Sequence, residues 1–321
     1  MISSPECTDF ADPTKSGWEF YRKGLALGRQ GRHEESLQSF SEALAADSTC
    51  ALAWVGQGFA LGKLGRFEEE IECCDKAIEL DPCCVDAWNN KGFALGKLGK
   101  FEEKANCCHR ALEINPESAV AWNNMGVAVG MQRKYEEEIR CCERAIALRP
   151  RFLSAWVNKG YALGKLKRYD DECECYDRAL KIYPYYFSAL ANRSTTLIHL
   201  KKYREAIESI DQVLSIDPEN AKALYRKGLA LALLGRHKEA IPSLERALAL
   251  NPTIADAWVV LSNSNFLLGN LEASARAFDQ VYYIDIRDIR SGLVKGLSLL
   301  AAGKRDEGLR CFSDVLGILL R

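Results

Sequence analysis

Apolar and small residues recur through the segment 85–118 at the spacing of one helical face. The first set lies at i, i+4, i+7 and i+10, namely at Trp88, Gly92, Leu95 and Leu98. This spacing predicts an amphipathic helix, and Gly99 predicts the turn that ends it. A second amphipathic set predicts another helix from about 101 to 114. Pro116 ends that helix, because proline cannot continue a helix interior.

The helix-turn-helix segment repeats with a period of 34 residues. One phase of the period is marked by Trp54, Trp88, Trp122, Trp156, Leu190, Leu224 and Trp258. Another is marked by Pro82, Pro116, Pro150, Pro184, Pro218 and Pro252. A single helix pair cannot bury both of its apolar stripes, so it must stack on its neighbours. The period therefore predicts one repeat array rather than two globular domains.

The period and its markers resemble the tetratricopeptide repeat family. The resemblance extends to small residues where helices cross: Gly58, Gly92, Gly126, Gly160 and Gly228 in first helices, and Ala43, Ala77, Ala111, Ala145, Ala179 and Ala247 in second helices. It implies an all-α fold, a right-handed superhelical solenoid whose first helices line a concave groove. We expect a tail at 1–16 and an array at 17–321. Its nine repeats are 17–50, 51–84, 85–118, 119–152, 153–186, 187–220, 221–254, 255–288 and 289–321.

The C-terminal end of the predicted array is apolar. Residues 311–320 offer no further polar helix to cover them, whereas terminal repeats usually need a polar outer face. Two interpretations stay open: the chain is a piece of a longer protein, or it self-associates through its C-terminal repeat.

Composition narrows the functional classes. A net charge of −1 argues against a general nucleic-acid or membrane binder. No apolar run approaches the roughly 18 residues that a membrane span needs. The N-terminus lacks the basic start and apolar core of a signal peptide. In such a chain, 13 cysteines predict reduced thiols. We therefore expect a soluble, cytoplasmic protein.

No catalytic or metal-binding pattern stands out. P-loop, HExxH and GxSxG elements are absent from the sequence. Cysteine pairs recur at Cys73–Cys74, Cys107–Cys108 and Cys141–Cys142. Adjacent helical residues point about 100° apart, so we interpret these cysteines as small buried hydrophobes that do not converge on zinc. Each second cysteine follows a longer residue by four positions, a compensation that Glu172 and Tyr176 break. We expect no enzyme and no cofactor.

An asparagine row follows the tryptophan phase by two residues, at Asn90, Asn124, Asn158 and Asn192. The family resemblance places this position on the concave surface. Asparagine carries a donor and an acceptor, so it can hold the backbone of an extended peptide. Each such bond contributes about 0.5–1.5 kcal/mol of the ~8 kcal/mol that micromolar affinity requires. The alternative is a tolerated polar surface residue.

A basic row accompanies a glycine row near the ends of the first helices. Its members are Lys63, Lys97 and Lys165, with Arg29 before them and an interruption at Met131. Lysines there complement the helix dipole, and in a groove they would favour an acidic peptide. The glycines are Gly28, Gly62, Gly96, Gly130 and Gly164. They predict close helix packing or a closely approaching ligand. After residue 187 the glycine phase holds larger, apolar residues, which suit hydrophobic side chains or a partner helix: Ile198, Ala232, Phe266 and Leu300.

Three residues resemble part of the clamp by which co-chaperone repeats hold a C-terminal carboxylate. Asn192, Lys222 and Arg226 match three of its five positions, whereas Val157 and Tyr161 replace the other two. The resemblance implies a cationic pocket for one carboxylate.

These patterns together predict a non-enzymatic scaffold that binds an extended, acidic peptide segment in its concave groove. The asparagine row would hold the peptide backbone, and Lys222 and Arg226 would hold a carboxylate. Two alternatives stay open: a substrate-recognition region of a larger enzyme or co-chaperone, and a cysteine-based metal or redox sensor. We expect a protein or peptide partner, and neither nucleic acid nor membrane.

Overall fold

Helices joined by short turns make up the computed structural model. The described residues are 15–284, 289–301, 303–304, 306–308 and 310. They contain seventeen helices of 13 to 15 residues and no strand. The all-α class expected from the sequence is therefore confirmed. The chain divides into two units, residues 1–167 and 168–321, which are described separately.

The first unit contains four and a half helix pairs. Its helices are α1 (Lys15–Arg29), α2 (His33–Ala46), α3 (Ala51–Lys63), α4 (Phe67–Leu80), α5 (Val85–Lys97), α6 (Phe101–Ile114), α7 (Ala119–Met131), α8 (Tyr135–Leu148) and α9 (Leu153–Lys165). Each helix packs on its neighbour along the chain. The odd-numbered helices, which begin the repeats, also pack on one another in order.

The second unit continues the same alternation of first and second helices. Its helices are α10 (Tyr169–Ile182), α11 (Phe187–His199), α12 (Tyr203–Ile216), α13 (Ala221–Leu233), α14 (His237–Leu250), α15 (Ala255–Leu267), α16 (Leu271–Ile284) and α17 (Ile289–Ala301). Among its first helices, α11 packs on α13 and α13 packs on α15.

A residue with a left-handed backbone conformation separates the two helices of most repeats. After α3 this residue is Gly65, with φ of +79°, and the N–H of Arg66 donates to the carbonyl oxygen of Leu61 at 3.0 Å. This is the six-to-one bond of a Schellman turn, where glycine is favoured because it has no Cβ. Three turns instead hold a residue with a side chain, at Arg133, Lys167 and Lys201.

The tryptophan and proline markers of the period are joined by a hydrogen bond. The indole N–H of Trp88 donates to the carbonyl oxygen of Pro82 at 3.0 Å. Trp122, Trp156 and Trp258 repeat this bond to the proline six residues before each. In the first unit, Trp54 makes the same bond to Ser48, which stands in the proline phase. Each tryptophan thereby fixes the start of a repeat to the end of the preceding one.

The cysteine pairs pack where the two helices of a repeat cross. A Cβ added at Gly58 would lie 3.3 Å from Cβ of Cys73 and 3.5 Å from Sγ of Cys74. Gly92 and Gly126 face the next two cysteine pairs in the same way. The interpretation of these cysteines as small packing residues is confirmed. The exception at Glu172 and Tyr176 is also explained, since the tyrosine hydroxyl donates to the glutamate carboxylate at 3.0 Å.

Ion pairs between successive repeats form a second periodic feature, which the sequence did not suggest. A cation in the middle of a first helix contacts an acidic residue 16 positions earlier, on the preceding second helix. The pairs are Lys91–Asp75 and Lys159–Glu143 in the first unit, and Arg193–Asp177, Lys227–Asp211 and Lys295–Asp279 in the second. The cations are about one quarter exposed and their acidic partners about half, so each pair contributes little to stability.

Some predictions concern residues that the structure does not describe. Residues 1–14 of the expected tail lie outside the described part, and α1 begins at Lys15, within the predicted tail 1–16. The apolar end at 311–320, on which self-association rests, also lies outside it. The nine-repeat array over 17–321 stays a prediction. None of the helices in the described ranges combines the length and apolar character that crossing a bilayer requires.

Candidate functional site

Three side chains share one face of α5. Asn90, Phe93 and Lys97 lie at i, i+3 and i+7, so they form a line along the helix. The corresponding lines are Gly56, Phe59 and Lys63 on α3; Asn124, Val127 and Met131 on α7; and Asn158, Tyr161 and Lys165 on α9. Because these four helices pack in order, the lines lie side by side. We call this surface the first-unit face.

The asparagines of the first-unit face are half-buried and differ in their hydrogen bonds. Nδ2 of Asn158 donates to Oδ1 of Asn123 on α7 at 3.0 Å. Asn90 and Asn124 make no side-chain hydrogen bond within the described residues. Beside them, the buried Asn89 has an Oδ1 atom without a partner among the described residues. Hydrogen-bonding capacity is therefore concentrated where α5 and α7 meet.

The lysines of this face each lie over an aromatic ring one turn earlier. Nζ of Lys63 is 5.0 Å from the ring centre of Phe59. The distance is 5.3 Å for Lys97 over Phe93 and 4.9 Å for Lys165 over Tyr161. Such contacts contribute about 0.5–1 kcal/mol at exposed sites. None of the lysine ion pairs in the described residues involves these three lysines, so their exposed ammonium groups have no carboxylate within ion-pair distance there.

The aromatic residues under the lysines were missed by the sequence reasoning. Phe59, Phe93 and Tyr161 keep 43–48% of their surface exposed, although large apolar side chains tend to be buried. The signal was present as an aromatic residue four positions before each lysine, at 34-residue spacing. On α7 the same two positions hold Val127 and Met131, so the interruption affects both members of the pair.

The glycines beside the lysines face inward, toward the second helix of their own repeat. A Cβ at Gly62 would lie 2.6 Å from Oε1 of Glu70, and one at Gly96 would lie 3.2 Å from Nζ of Lys104. Gly130 faces Glu138 in the same way. The close-packing interpretation is confirmed for Gly62, Gly96 and Gly130, since each leaves room for a charged side chain.

The three charged side chains behind the glycines are buried. Glu70 is 2% exposed, Lys104 7% and Glu138 4%. Burial raises the pKa of both glutamates to about 7, and the neighbouring Lys63 and Lys104 respectively offset part of that effect. Oε2 of each glutamate has no hydrogen-bond partner among the described residues. Burial also lowers the pKa of Lys104.

The other three predicted site residues lie in the second unit. Lys222 and Arg226 share one face of α13 at i and i+4, and Asn192 lies on the adjoining helix α11. Lys222 is exposed, whereas Arg226 is half-buried, and burial lowers the pKa of its guanidinium. No ion pair to Arg226 is found in the part of the chain that the structure describes. It is therefore a cation available to an anionic group.

The first helices of the second unit expose apolar side chains. Leu233 on α13 is 48% exposed and Leu267 on α15 is 63% exposed. They occupy the phase that holds lysine in the first unit. The change to apolar residues was predicted for the glycine phase, one position earlier, where Phe266 on α15 is 37% exposed and Leu300 on α17 is 36% exposed.

The cysteines have the properties of buried thiols. Burial raises the pKa of Cys73, Cys107 and Cys141 to about 11 and that of Cys108 to about 12. Thiolates are the nucleophilic and metal-binding form, and these values disfavour it at neutral pH. The described residues contain no group of three or more His, Cys, Asp or Glu side chains arranged to hold a metal ion.

Comparison with known proteins agrees with this architecture. Three tetratricopeptide repeat models match the chain: the first at 21–82, 197–253 and 238–289, the second at 73–105 and the third at 153–186. No match was found among curated proteins.

Several solved structures share the fold at low sequence identity. PilF of Pseudomonas aeruginosa is 18% identical with a TM-score of 0.57, over 65% of this chain and 95% of that one. The Cut9–Hcn1 hetero-tetramer of the APC/C contains a chain that is 15% identical with a TM-score of 0.55, over 94% and 73%. A thermophilic TPR protein of Thermus thermophilus is 18% identical with a TM-score of 0.52, over 57% and 99%.

At these identities the structural likeness concerns the fold alone. The matching family models carry the assignment, together with the paired helices and the Trp–Pro hydrogen bonds that repeat every 34 residues. The chain belongs to the tetratricopeptide repeat family.

Proposed function

We propose that the first-unit face binds an extended, acidic peptide segment of a partner protein. The tetratricopeptide repeat fold implies a scaffold for protein–protein interaction, and scaffolds of this family are generally not enzymes. A non-enzymatic role and a cytoplasmic location are part of the proposal. The chemistry of the exposed first helices supports the kind of segment proposed.

The asparagines supply the contacts to the peptide backbone. Asn90 and Asn124 each offer a donor and an acceptor that no described residue uses. Asn158 retains an acceptor after its bond to Asn123. Such contacts recognise an extended chain whatever its side chains are, which suits a scaffold that holds a segment and not a folded surface.

The lysines and aromatics supply the contacts to the peptide side chains. Lys63, Lys97 and Lys165 favour carboxylates, and the exposed aromatic rings beneath them offer apolar area next to each charge. Asp86, exposed one turn before Asn90 on α5, is the acidic exception. The observation that carries the proposal is this row of exposed, unpaired lysines over half-exposed rings.

The second unit offers a separate place for a carboxylate. Arg226 and Lys222 on α13, with Asn192 on α11, combine two cations and an amide on adjoining helices. We propose that these three residues bind a single carboxylate, either a chain terminus or an acidic side chain.

The experiment is a pull-down with the intact protein and two double variants. Asn90→Ala/Asn124→Ala removes the unengaged amides, and Lys63→Met/Lys97→Met removes two charges while keeping side-chain length. Both should lower recovery of the bound partner about tenfold, in line with the loss of two hydrogen bonds or two charge contacts. Asn106→Ala, an exposed asparagine on the second helix α6, is the matched control and should bind like the unaltered chain. Undiminished recovery by both double variants would show that this face is not the binding surface.

A further inference from the structure

The geometry points to Lys97 as the position, among those on α3, α5 and α7 of the first-unit face, that takes the ligand's acidic group. This inference rests on the proposed function and specifies its ligand. A carboxylate binds at α5, and the ligand residues that meet α3 and α7 on either side are neutral or basic.

The inference starts from a column of buried charges behind the first-unit face. Glu70, Lys104 and Glu138 follow one another at 34-residue spacing on α4, α6 and α8. Each is more than nine-tenths buried, and each side chain ends against the glycine of its own repeat. Those glycines, at 62, 96 and 130, directly precede Lys63, Lys97 and Met131. Every residue of the lysine row on α3, α5 and α7 therefore has one buried charge behind it.

The buried charges differ in sign from repeat to repeat. Lys63 has a carboxylate behind it, whereas Lys97 has the ammonium of Lys104. Met131 carries no charge and has the carboxylate of Glu138 behind it. Among these three positions, the one on α5 thus combines a surface cation with a buried cation.

The charges of the buried column are only partly compensated, because Lys104 and Glu138 act on each other without forming an ion pair. Oε2 of both glutamates lacks a hydrogen-bond partner, and no ion pair to Lys104 is found among the described residues. Charges removed from water interact through a lower effective dielectric and are screened less by salt than exposed ones. Above pH 7, where both glutamates are mostly ionised, a ligand carboxylate is therefore favoured most at α5, less at α3, where Glu70 offsets part of the charge of Lys63, and least at α7, where Met131 adds no cation.

The pKa shifts of the buried charges show that the surface lysines lie close to them. Burial raises the pKa of Glu70, and the charge of Lys63 lowers it in part. For Lys104, burial is the largest cause of the lowered pKa, Lys97 lowers it further, and Cys108 and Glu138 oppose both. The surface and buried charges are thus close enough to influence each other.

The distance between neighbouring helices sets how many residues separate the ligand positions that meet them. Neighbouring helices lie about 8–10 Å apart, and an extended chain advances about 3.3–3.6 Å per residue. The residues that meet α3 and α7 are therefore about three positions from the acidic residue. A suitable ligand has one acidic residue flanked at that distance by neutral or basic residues.

The test uses an array of synthetic peptides of about ten residues, enough to span the four helices. One aspartate is moved along neutral backgrounds, and a second set carries two aspartates three residues apart. The array is probed at pH 8, above the pKa of Glu70, with the unaltered full chain and with Lys97→Met, Lys63→Met, Glu70→Gln and the double variant Asn90→Ala/Asn124→Ala. Met131 shows that this row tolerates methionine. Lys238→Met, an exposed lysine on the second helix α14, is the matched control.

We expect single-aspartate peptides to bind, and Lys97→Met to weaken them about tenfold, against less than about threefold for Lys63→Met. Glu70→Gln should strengthen the two-aspartate peptides, because it removes the negative charge behind Lys63. Equal losses for Lys97→Met and Lys63→Met, in peptides that still need Asn90 and Asn124, would overturn this inference and leave the proposed function standing. Binding of no peptide on the array would overturn both.

Discussion

The carboxylate of Glu70 fills the space that a side chain on Gly62 would occupy. A Cβ at Gly62 would lie 2.6 Å from Oε1 of the glutamate. In the second unit the same two positions hold Ala232 and Ala240, which belong to one apolar cluster. The side chains of a first-helix residue and of the second-helix residue eight positions later therefore occupy the same space between the two helices. A large side chain at one position requires a small one at the other.

This sharing predicts a strong coupling between Gly62 and Glu70. Gly62→Ala alone forces the buried carboxylate to move and should lower the free energy of unfolding by about 1–3 kcal/mol. In the double variant Gly62→Ala/Glu70→Ala, which reproduces the pair Ala232 and Ala240, most of that loss should disappear. Urea denaturation of the two single variants and the double variant measures the coupling, which we expect to exceed about 1 kcal/mol. Simple additivity of the two changes would contradict the shared volume.

Glu70 and Glu138 predict a stability that falls with rising pH. Their pKa in the folded chain is about 7, above the ordinary value of 4.5. The folded state therefore binds more protons than the unfolded state between these values, so stability decreases across that window as pH rises. Above pH 7 the full effect applies, at most roughly 3 kcal/mol for each carboxyl. The opposing effects of Lys63 and Lys104 are already contained in these pKa values.

The corresponding variants are Glu70→Gln and Glu138→Gln, which keep the shape and remove the charge. Both should be more stable than the unaltered chain at pH 8 and close to it at pH 4, as measured by thermal denaturation at each pH. Exposed Glu72→Gln on α4 serves as the control and should change little at either pH. Equal pH dependence in all of these proteins would show that the buried carboxyls do not titrate in this range.

Arg133 and Lys201 occupy turn positions that favour glycine. Both have φ near +60°, where the Cβ of an L-residue is strained, while Gly65 adopts the same region without a Cβ. We therefore expect Arg133→Gly and Lys201→Gly to raise the free energy of unfolding by about 1 kcal/mol each. The reverse change, Gly65→Lys, should lower it by a similar amount in the same denaturation experiment. A loss of stability in both glycine variants would contradict the strain.

The indole hydrogen bond predicts that each Trp→Phe variant loses a modest amount of stability, similar from repeat to repeat. Trp88→Phe keeps most of the ring but loses the N–H that donates to Pro82, and Trp258→Phe loses the bond to Pro252. Each should lower stability by about 0.5–1.5 kcal/mol through the lost bond, plus a smaller packing loss. Leu224, which stands in the same phase without an indole, supplies the control: Leu224→Phe removes no such bond. No difference between the tryptophan and leucine variants would show that the bond contributes nothing.

The periodic features of the fold were readable from the sequence, because each depends on local spacing. Trp88, Gly99 and Pro116 predicted the helix, turn and stop that the structure contains. Glu70 could not be placed, since a glutamate near the start of an amphipathic helix ordinarily faces water. Its burial depends on the missing side chain at Gly62, in another helix. The pairing of a glycine at 62 with a large residue at 70 can be recognised in the sequence only once the two helices are known to face each other.

For the same reason the sequence suggested only some residues of the candidate site, and their role in binding stays a prediction. Asn90 and Lys97 followed from their phase, but the ring of Phe93 beneath the lysine was not recognised. The bond from Asn158 to Asn123 joins residues 35 positions apart on different helices. Its formation depends on the rotation of α7 against α9, which no local pattern specifies. The unequal availability of the asparagines is therefore a structural finding.

Photo-crosslinking from inside the first-unit face tests whether this surface holds the ligand. A benzophenone amino acid is placed at Phe93, 43% exposed on α5, and for comparison at Leu80, 42% exposed on the second helix α4. After irradiation with the partner recovered in the pull-down, mass spectrometry identifies the crosslinked residues. We predict crosslinks from position 93 to a short segment containing an acidic residue, and few from position 80. Equal crosslinking from both positions, or none from position 93 with a bound partner present, would contradict binding at this face.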